Sequence, residues 1–503
     1  MKPLLTLLFG VLFSSFSNAQ NFNRPVPSVL LPYEYNQLDT NINFYTGINM
    51  NYRGDMHNGT YDLKRGVLLD PDGFIAWYQL TPTNNANSFG YNEANQVFQE
   101  VISLNQQNKL YVTIDTTFQI IDTVQPVNAG PDAHEFWIEP NGHKFLSTFT
   151  EMTMDLSAYT INGSVGSATT NVLCNGVQEF DNNGTLVFEW SSCDDVHPSE
   201  ADGFGYNANR FDYFHINSID VDEDDGHLLV SARHLNAIIK VDHNTGDVIW
   251  RLGGSNSDFT FVGDSGFSGQ HDCRSEGNGV YTLFDNANLA VDGKSRAVRY
   301  ELDTVNWTAT LLDEFNHNPL VSGTAQGSYR VIDGYGVVNY GFALRPEPNI
   351  TIFDEASQAL AAEYYFTDSV ITYRAVPSHL DFVLPRPVIE CFDSLGTMYL
   401  KAPNGFASYE WSNGSMSQEI VPVIGETYQV YVPYGIGKLG SIPFGYNGTC
   451  TSNVSVPELT SADKILVKTI DLMGREVDMA TPGQVYLEIY SDGSVQRIFS
   501  MPK

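Results

Sequence analysis

The feature that most constrains the fold is a repeat between residues 130 and 370. The segments "HEFWIEPNG", "HDCRSEGNG" and "QGSYRVIDG" each run to a turn glycine, and "HINSIDVDEDDG" has the same plan with a longer turn. An apolar strand pattern follows each glycine, and each unit then adds a strand, an acidic turn and a last strand. Two earlier segments, 66–80 and 110–126, carry parts of this pattern.

This repeat predicts the class of fold. Units of four short strands recur about every 55 residues with hardly any segment of helical periodicity, which indicates an all-β chain. Such a period is typical of the blades of a β-propeller. Counting the two N-terminal units, the sequence predicts a six-bladed β-propeller.

The repeat also places polar side chains at one structural position. His134, His215, His271 and Gln326 each open the first strand of a unit. Because first strands line the central channel of a propeller, we expect these four side chains to share one cavity and to face a substrate there. Asn217, two residues after His215, faces the same way and is a candidate minor ligand. The alternative is that each histidine only caps a strand and bonds to neighbouring backbone.

Arg233, in "VSARHLN", is expected on the second strand of the His215 unit, with His234 facing the opposite way. Its guanidinium either pairs with an inward acid or binds an oxyanion. No inward carboxylate pattern accompanies the histidines in the sequence. Three histidines can hold a metal, but an adjacent arginine would repel the cation. We therefore expect neither a metal nor a cofactor, and favour group transfer through a neutral imidazole nucleophile.

Residues 212–254, followed by "FSGQHDCR" and "LFDN", resemble the bacterial arylsulfotransferase family of secreted six-bladed propellers. Members move a sulfuryl group from a phenolic sulfate ester to another phenol through a sulfohistidine, without a nucleotide donor. The resemblance implies that His271 of "QH" is the nucleophile and that His215 and Arg233 stabilise the sulfuryl oxygens. It makes His134 of "AHEF" a donor to the phenolate oxygen. The alternative function is a non-catalytic surface propeller that binds a ligand or glycan.

Composition limits the partners and the compartment. A formal charge of −33 argues against nucleic acid and anionic membranes as partners. Residues 1–19 have the basic start, apolar run and small residues of a secretory signal peptide, and no later stretch is apolar enough to span a membrane. Five cysteines allow two bridges, for which Cys174 with Cys193 and Cys391 with Cys450 are the natural pairs, and leave one thiol.

The C-terminal part lies outside the repeat. We assign residues 20–385 to the propeller and residues 386–456 to a small module that resembles the immunoglobulin-like β-sandwiches of secreted Bacteroidetes proteins. Residues 457–503, with "DLMGREV" and "PGQVYLEIYSDG", resemble the sorting domain read by the type IX secretion machinery. The resemblance implies export through the periplasm, followed by release or attachment at the cell surface.

Overall fold

The computed structural model describes residues 23–52, 65–79, 85–103, 109–202, 204–290, 293–367, 370–450, 466–471, 477, 485–490 and 495–499. The predicted signal peptide, residues 1–19, lies outside these ranges. The described chain is all-β, with a single four-residue α-helix. No helix in these ranges is long and apolar enough to cross a membrane.

The first half of the chain contains eighteen strands, one α-helix and two 3-10 turns among its described residues. They are β1 (Tyr33–Gln37), β2 (Tyr45–Tyr52), β3 (Arg65–Leu69), β4 (Ile75–Gln79), β5 (Asn85–Asn92), β6 (Val97–Ser103), β7 (Lys109–Ile114), β8 (Ile120–Val124), β9 (Gly130–Ile138), β10 (Lys144–Met154), β11 (Thr160–Ile161), β12 (Ser164–Val165), β13 (Thr170–Phe180), β14 (Leu186–Ser191), α1 (Ser192–Asp195), a 3-10 turn (Pro198–Glu200), β15 (Ile216–Val221), β16 (Leu228–Ala232), a 3-10 turn (Arg233–Leu235), β17 (Ala237–Val241) and β18 (Val248–Gly253).

In the second half of the chain, every regular element among the described residues is a strand. They are β19 (Thr260–Val262), β20 (His271–Ser275), β21 (Val280–Asp285), β22 (Arg296–Asp303), β23 (Thr308–Phe315), β24 (Ser328–Ile332), β25 (Tyr335–Asn339), β26 (Ile350–Asp354), β27 (Leu360–Phe366), β28 (Val370–Ser378), β29 (Glu390–Ser394), β30 (Thr397–Lys401), β31 (Glu410–Trp411), β32 (Glu419–Ile420), β33 (Thr427–Tyr428), β34 (Val430–Tyr434), β35 (Gly437–Gly440), β36 (Phe444–Gly445), β37 (Leu466–Asp471), β38 (Val485–Tyr490) and β39 (Val495–Phe499).

Most of these strands form six antiparallel sheets of the repeat, each with four strands in series. We number them by chain order: sheet 1 (β28-β2-β3-β4), sheet 2 (β5-β6-β7-β8), sheet 3 (β9-β10-β13-β14), sheet 4 (β15-β16-β17-β18), sheet 5 (β20-β21-β22-β23) and sheet 6 (β24-β25-β26-β27). β1 adds to the outer strand of sheet 6, and β19 adds in parallel to the outer strand of sheet 5. Of the two N-terminal segments that carry parts of the repeat, residues 66–79 lie in sheet 1 and residues 110–124 lie in sheet 2.

The first strands of the six sheets contact one another in cyclic order. β28 contacts β5, and the contacts continue through β9, β15, β20 and β24 back to β28. Sheet 1 takes its first strand from residues 370–378 and its other strands from the N-terminal end of the chain, and Tyr45 pairs with Ser378. The two ends of the repeat therefore join inside one sheet.

One asparagine bridges each neighbouring pair of sheets by a hydrogen bond to backbone. The six bonds are Phe89 N to Asn49 Oδ1 (2.9 Å), Asn87 Nδ2 to Ala133 O (2.9 Å), His215 N to Asn175 Oδ1 (2.9 Å), Asn217 Nδ2 to Gln270 O (2.6 Å), Asn286 Nδ2 to Gln326 O (2.9 Å) and Asn339 Nδ2 to Thr372 O (3.1 Å). These amides satisfy backbone groups where sheets meet, since buried polar groups need partners. They also fix the spacing of the first strands.

A buried ion cluster lies among the first strands. Asp272 of β20 binds Arg330 at 2.6 and 2.7 Å, Arg274 at 2.8 Å and Arg374 at 3.2 Å. Glu135 of β9 accepts hydrogen bonds from Arg274 and Arg374, each at 2.7 Å. Burial opposes ionisation of Asp272, but the three guanidinium groups hold its pKa well below the usual value. Four sheets are tied together by these charges.

Apolar side chains fill the space between adjacent sheets. Leu229 and Ile238 of sheet 4 pack with Leu283, Val298 and Tyr300 of sheet 5 in one buried cluster. The strand period of two places these side chains between sheets, while first-strand positions at the centre stay polar. Hydrophobic burial thus holds neighbouring sheets together, and ion pairs hold the centre.

The C-terminal module is joined to sheet 1 by strand pairing. Gln79, Tyr78 and Trp77 of β4 pair with residues 437–439 of β35, and β34 and β31 extend this sheet further. Glu410 of β31 accepts hydrogen bonds from Tyr78 Oη at 2.7 Å and from Lys438 Nζ at 2.6 Å. Strands β35, β34 and β31 of the predicted module therefore continue sheet 1, which the sequence did not indicate.

Both disulfides expected from the sequence are present. Cys174 is bonded to Cys193 in the sheet 3 region, and Cys391 is bonded to Cys450 in the C-terminal module. Cys273 is the remaining thiol and is buried. In the predicted sorting segment, β37, β38 and β39 form a separate three-stranded antiparallel sheet.

We expect Asp272→Asn to lower the free energy of unfolding by about 3–5 kcal/mol, because it leaves buried guanidinium groups without their counter-ion. Urea unfolding measures this change. Glu276→Gln is the matched control, since Glu276 binds Arg299 at 2.8 and 3.1 Å on the surface and its loss should cost about 1 kcal/mol or less. Equal effects of the two variants would contradict the role of the central cluster.

Candidate functional site

The predicted histidines lie where the first strands begin or bend. His134 lies within β9, His215 immediately precedes β15 and His271 opens β20. Strand pairing shifts register beside each of them, and His215 and Asp272 have left-handed backbone with φ of +57° and +56°. Bulges of this kind redirect side chains, and they are frequent next to active sites.

His134 and His215 contact each other, and each is paired with an aspartate. Their ring centroids are 4.6 Å apart. His134 Nδ1 lies 2.5 Å from Asp132 Oδ1, and His215 Nδ1 lies 2.6 Å from Asp212 Oδ2. The expectation that no inward carboxylate accompanies the histidines is therefore wrong. The sequence carries a weak signal for both acids, two and three residues before the histidine they bind.

The aspartates change the charge of this pair. Burial disfavours a charged ring at His134, but the Asp132 carboxylate outweighs it and raises the pKa of His134 above its usual value. Burial likewise favours a neutral Asp212, yet the neighbouring histidines, His215 first, hold the pKa of Asp212 well down. His134 is thus suited to carry a proton near neutral pH.

Arg233 begins a 3-10 turn immediately after β16, so its expected place on the strand is wrong by one residue. Its guanidinium donates to His234 Nε2 at 3.1 Å, Asn288 Oδ1 at 3.2 Å and Thr324 O at 3.3 Å. Within the described ranges no carboxylate lies within 4.0 Å of it, and its Nε is buried without a partner. Of the two expected roles, binding of an oxyanion fits this environment.

His234 belongs to the site, contrary to the expectation that it faces away. Its ring stacks on His215 with centroids 4.4 Å apart and on Phe204 with centroids 4.1 Å apart. His234 Nδ1 donates to Asp212 O at 2.5 Å, which leaves Nε2 to accept from Arg233. Burial, followed by the charge of His215, lowers the pKa of His234 to about 3. The strand argument failed because the chain turns at Arg233.

His271 is buried, with 3% of its surface exposed. Its Nδ1 lies 2.6 Å from Asn286 Oδ1 and 3.0 Å from Gly269 O, and its Nε2 accepts the Gln326 N–H at 3.2 Å. These partners place the proton on Nδ1 and the lone pair on Nε2. Burial and then the positive charge of Arg233 lower the pKa of His271 well below its usual value.

Asn217 and Gln326 lie beside this group and make backbone contacts. Asn217 is fully buried, and its Nδ2 bonds to Gln270 O while its Oδ1 is buried without a partner. Gln326 meets His271 through its backbone N–H, and its buried Oε1 is also without a partner. Their expected role as substrate ligands stays a prediction.

Asn286 was missed as a site residue, although it ends the "LFDN" segment of the resemblance. Its Oδ1 meets the His271 ring, and its Nδ2 donates to Gly323 O at 2.6 Å and to Gln326 O at 2.9 Å. Spacing alone did not find it, because fifteen residues and a β-turn separate it from His271.

One cluster of the site has the donor types of a metal centre. Ligand atoms of Asp212, His215 and His234 all lie within 4.8 Å of one another. However, Asp212 is already bonded to His215, both nitrogens of His234 are occupied, and the Arg233 guanidinium contacts this set. A fixed positive charge disfavours a cation at this position, so the geometry suits an anion.

Comparison with known proteins gives a family match. A family model described as Arylsulfotransferase (ASST) matches residues 83–361. No curated protein matches the chain. Among solved structures, a protein of unknown function from Bacteroides caccae is 10% identical, covering 66% of this chain and 98% of that chain with a TM-score of 0.39.

Two further structures have similar scores. Virginiamycin B lyase from Staphylococcus aureus is 14% identical, covering 74% of this chain and 96% of its own, with a TM-score of 0.34. The β-propeller domain of Cps50 (Swd1) from Myceliophteria thermophila is 8% identical, covering 68% and 88%, with a TM-score of 0.35. Similarity at this level carries no functional conclusion.

We expect inorganic sulfate to bind saturably at Arg233, because this half-buried guanidinium has no carboxylate partner within the described ranges. Arg233→Met should weaken binding about tenfold or more, the worth of a hydrogen bond to a charged group. Isothermal titration calorimetry measures this. Arg299→Met is the matched control, since Arg299 is paired with Glu276 and Glu355. Unchanged binding in the Arg233 variant would exclude this site.

Proposed function

The chain belongs to the arylsulfotransferase family, and from that premise we propose that it transfers a sulfuryl group from a phenolic sulfate ester to a phenol through a sulfohistidine at His271. The observation that carries the proposal is the state of His271. Its Nδ1 is bonded to Asn286, its Nε2 accepts a hydrogen bond and so has a lone pair, and burial holds the pKa of the ring well below its usual value. A neutral imidazole in this tautomer is an activated nucleophile.

In the first half-reaction, the Nε2 lone pair of His271 attacks the sulfur of the aryl sulfate. An S–N bond forms, the bond between sulfur and the phenolic oxygen breaks, and the electron pair leaves with that oxygen. The hydrogen bond from Gln326 N to Nε2 is long, at 3.2 Å, and is weak enough to give way. That N–H is then able to donate to a sulfuryl oxygen.

His134 protonates the departing phenolate. Its raised pKa keeps a proton available near neutral pH, and Asp132 stabilises the charged ring. Proton donation by a positioned side chain typically contributes about 10²–10⁴ in rate. In the second half-reaction the neutral His134 accepts the proton of the incoming phenol, whose oxygen attacks sulfur and returns the electron pair to Nε2 of His271.

Arg233 and His215 stabilise the peripheral oxygens of the group in transfer. As in phosphoryl transfer, charge is spread over oxygens that do not react, so positioning and electrostatic stabilisation supply most of the acceleration. The absence of a carboxylate within 4.0 Å of Arg233, within the described residues, supports this assignment. Asn217 and Gln326 contribute unpartnered side-chain oxygens to the surroundings.

We propose that the six sheets are the blades of one propeller, residues 20–385, with the site at the mouth of its channel. The cyclic contacts of the first strands support this reading. Residues 386–456 form an immunoglobulin-like module, and residues 1–19 and 457–503 are the signal peptide and the type IX sorting domain. The enzyme then acts outside the cell or on its surface.

We expect His271→Ala to abolish both donor cleavage and transfer, and Arg233→Ala to slow both without preventing the covalent intermediate. The decisive measurement is mass spectrometry of protein quenched after exposure to an aryl sulfate alone. It should show the gain of one acid-labile sulfuryl group on the peptide that contains His271.

His379→Ala is the matched control, because His379 lies on the surface, where it pairs with Asp333 at 2.9 Å. This variant should keep full activity and full labelling. A label on another residue, or full activity of His271→Ala, would rule out the nucleophile. If the wild type transfers no sulfuryl group from any of several aryl sulfates, a non-catalytic propeller that binds a ligand or glycan would instead be favoured.

Deletion of residues 457–503 should leave the enzyme folded and active but retain it in the periplasm. The physical reason is that β37, β38 and β39 pair only with one another among the strands described. Fractionation of a native host that produces the truncated chain measures its location, and sulfuryl transfer from a chromogenic aryl sulfate to a phenol measures its activity. Normal appearance of the truncated enzyme at the surface or in the medium would contradict the sorting role.

A further inference from the structure

The three histidines of the site differ in the group that meets Nδ1. His134 meets the carboxylate of Asp132, and His215 meets the carboxylate of Asp212. His271 meets the uncharged amide of Asn286 at 2.6 Å. Two of the rings therefore have a carboxylate partner at Nδ1, and the His271 ring has an amide instead.

We propose that Asn286 is the positioning residue of the nucleophile: its amide fixes the His271 proton on Nδ1 and, being uncharged, leaves that ring without a counter-ion. This inference rests on the proposed function, in which His271 attacks sulfur. Asn286 acts through His271 and does not itself touch the reacting atoms.

The orientation of the amide is set by its other end. Asn286 Nδ2 donates to Gly323 O at 2.6 Å and to Gln326 O at 2.9 Å, so Oδ1 must face His271. An amide oxygen only accepts, and Nδ1 of His271 must therefore be the donor. On the other side of the ring, the Gln326 N–H meets Nε2 at 3.2 Å and requires a lone pair there. Both contacts select the same tautomer.

The missing negative charge matters as much as the tautomer. The charged and titratable groups that act most strongly on His271 are Arg233, from the 3-10 turn, His215, which immediately precedes β15, and His134 of β9. In the part of the chain that the structure describes, no carboxylate pairs with His271 within 4.0 Å. With an aspartate at position 286, the protonated ring would be stabilised and its lone pair lost to a proton.

The first test is Asn286→Asp, which exchanges an amide for a carboxylate of the same shape. We expect the pKa of His271 to rise by about one to three pH units, the usual effect of an adjacent opposite charge. Ring resonances of histidine-labelled protein measure this pKa by NMR, with the signal lost in His271→Gln as the assignment. The acid limb of the pH profile for donor cleavage should move upward by the same amount.

Asn339→Asp is the matched control. Asn339 bridges sheets 6 and 1 through Thr372 O, as Asn286 bridges sheets 5 and 6, but it contacts no histidine of the site. It reports the cost of a carboxylate at an inter-sheet asparagine. Its His271 pKa and its acid limb should equal those of the wild type.

The second test is Asn286→Ala, which removes the acceptor without adding charge. We expect a mixture of the two neutral tautomers of His271 in the ring nitrogen resonances. Activity should fall by about 10- to 100-fold in kcat with little change in KM, by analogy with the range found for hydrogen-bond partners of metal-bound histidines. Because the tautomer is read without turnover, this variant decides the matter if Asn286→Asp does not fold.

An unshifted His271 pKa in folded Asn286→Asp, or an unmixed tautomer in Asn286→Ala, would overturn the inference. Failure of the proposed function looks different, since the wild type would then form no sulfohistidine at His271 while the resonances still respond to both substitutions. The two results are therefore separable in one set of proteins.

Discussion

The ion pairs of the Asp272 carboxylate are the interactions around which the centre of the structure is arranged. The carboxylate binds arginines from β20, β24 and β28, and Arg274 and Arg374 in turn reach Glu135 of β9. Charges buried at the centre are stable only in such a closed network. Because Asp272 follows His271 directly and has a left-handed backbone, the network also determines where the His271 ring lies. Stability of the centre and the position of the His271 ring depend on the same residue.

Chemically similar side chains are given different tasks by their neighbours. His134 has an aspartate and a raised pKa, His234 has a carbonyl and an arginine and a pKa of about 3, and His271 has an amide and a lowered pKa. Three histidines of one candidate site thus have pKa values shifted in different directions by their neighbours. Environments that push titratable groups apart are the usual way in which one site runs acid and base chemistry at one pH.

The repeat in the sequence predicted the all-β fold and the placing of His134, His215 and His271 at the first strands. It could do so because strand periodicity and turn glycines recur at fixed positions in the sequence. Local turns that interrupt a strand could not be predicted from the repeat. A 3-10 turn after Ala232 moved Arg233 off its strand and rotated His234 into the site. Partners from other turns of the chain, such as Asn286, have no fixed spacing from the residues they serve. The pairing of β35 with β4 joins residues far apart in sequence, and no periodicity signals it.

Sheet 1 is completed only when β28 arrives. Tyr373 and Arg374 of that strand reach across the centre to the Asn217 carbonyl, so the last strand of the repeat touches the core of the site. Contacts between residues so distant in the chain form late, because closing the long loop between them costs entropy before the contacts stabilise the structure. A chain emerging from a ribosome therefore cannot assemble this centre until residue 378 is free. The candidate site is therefore completed only when the last strand of the repeat has joined sheet 1.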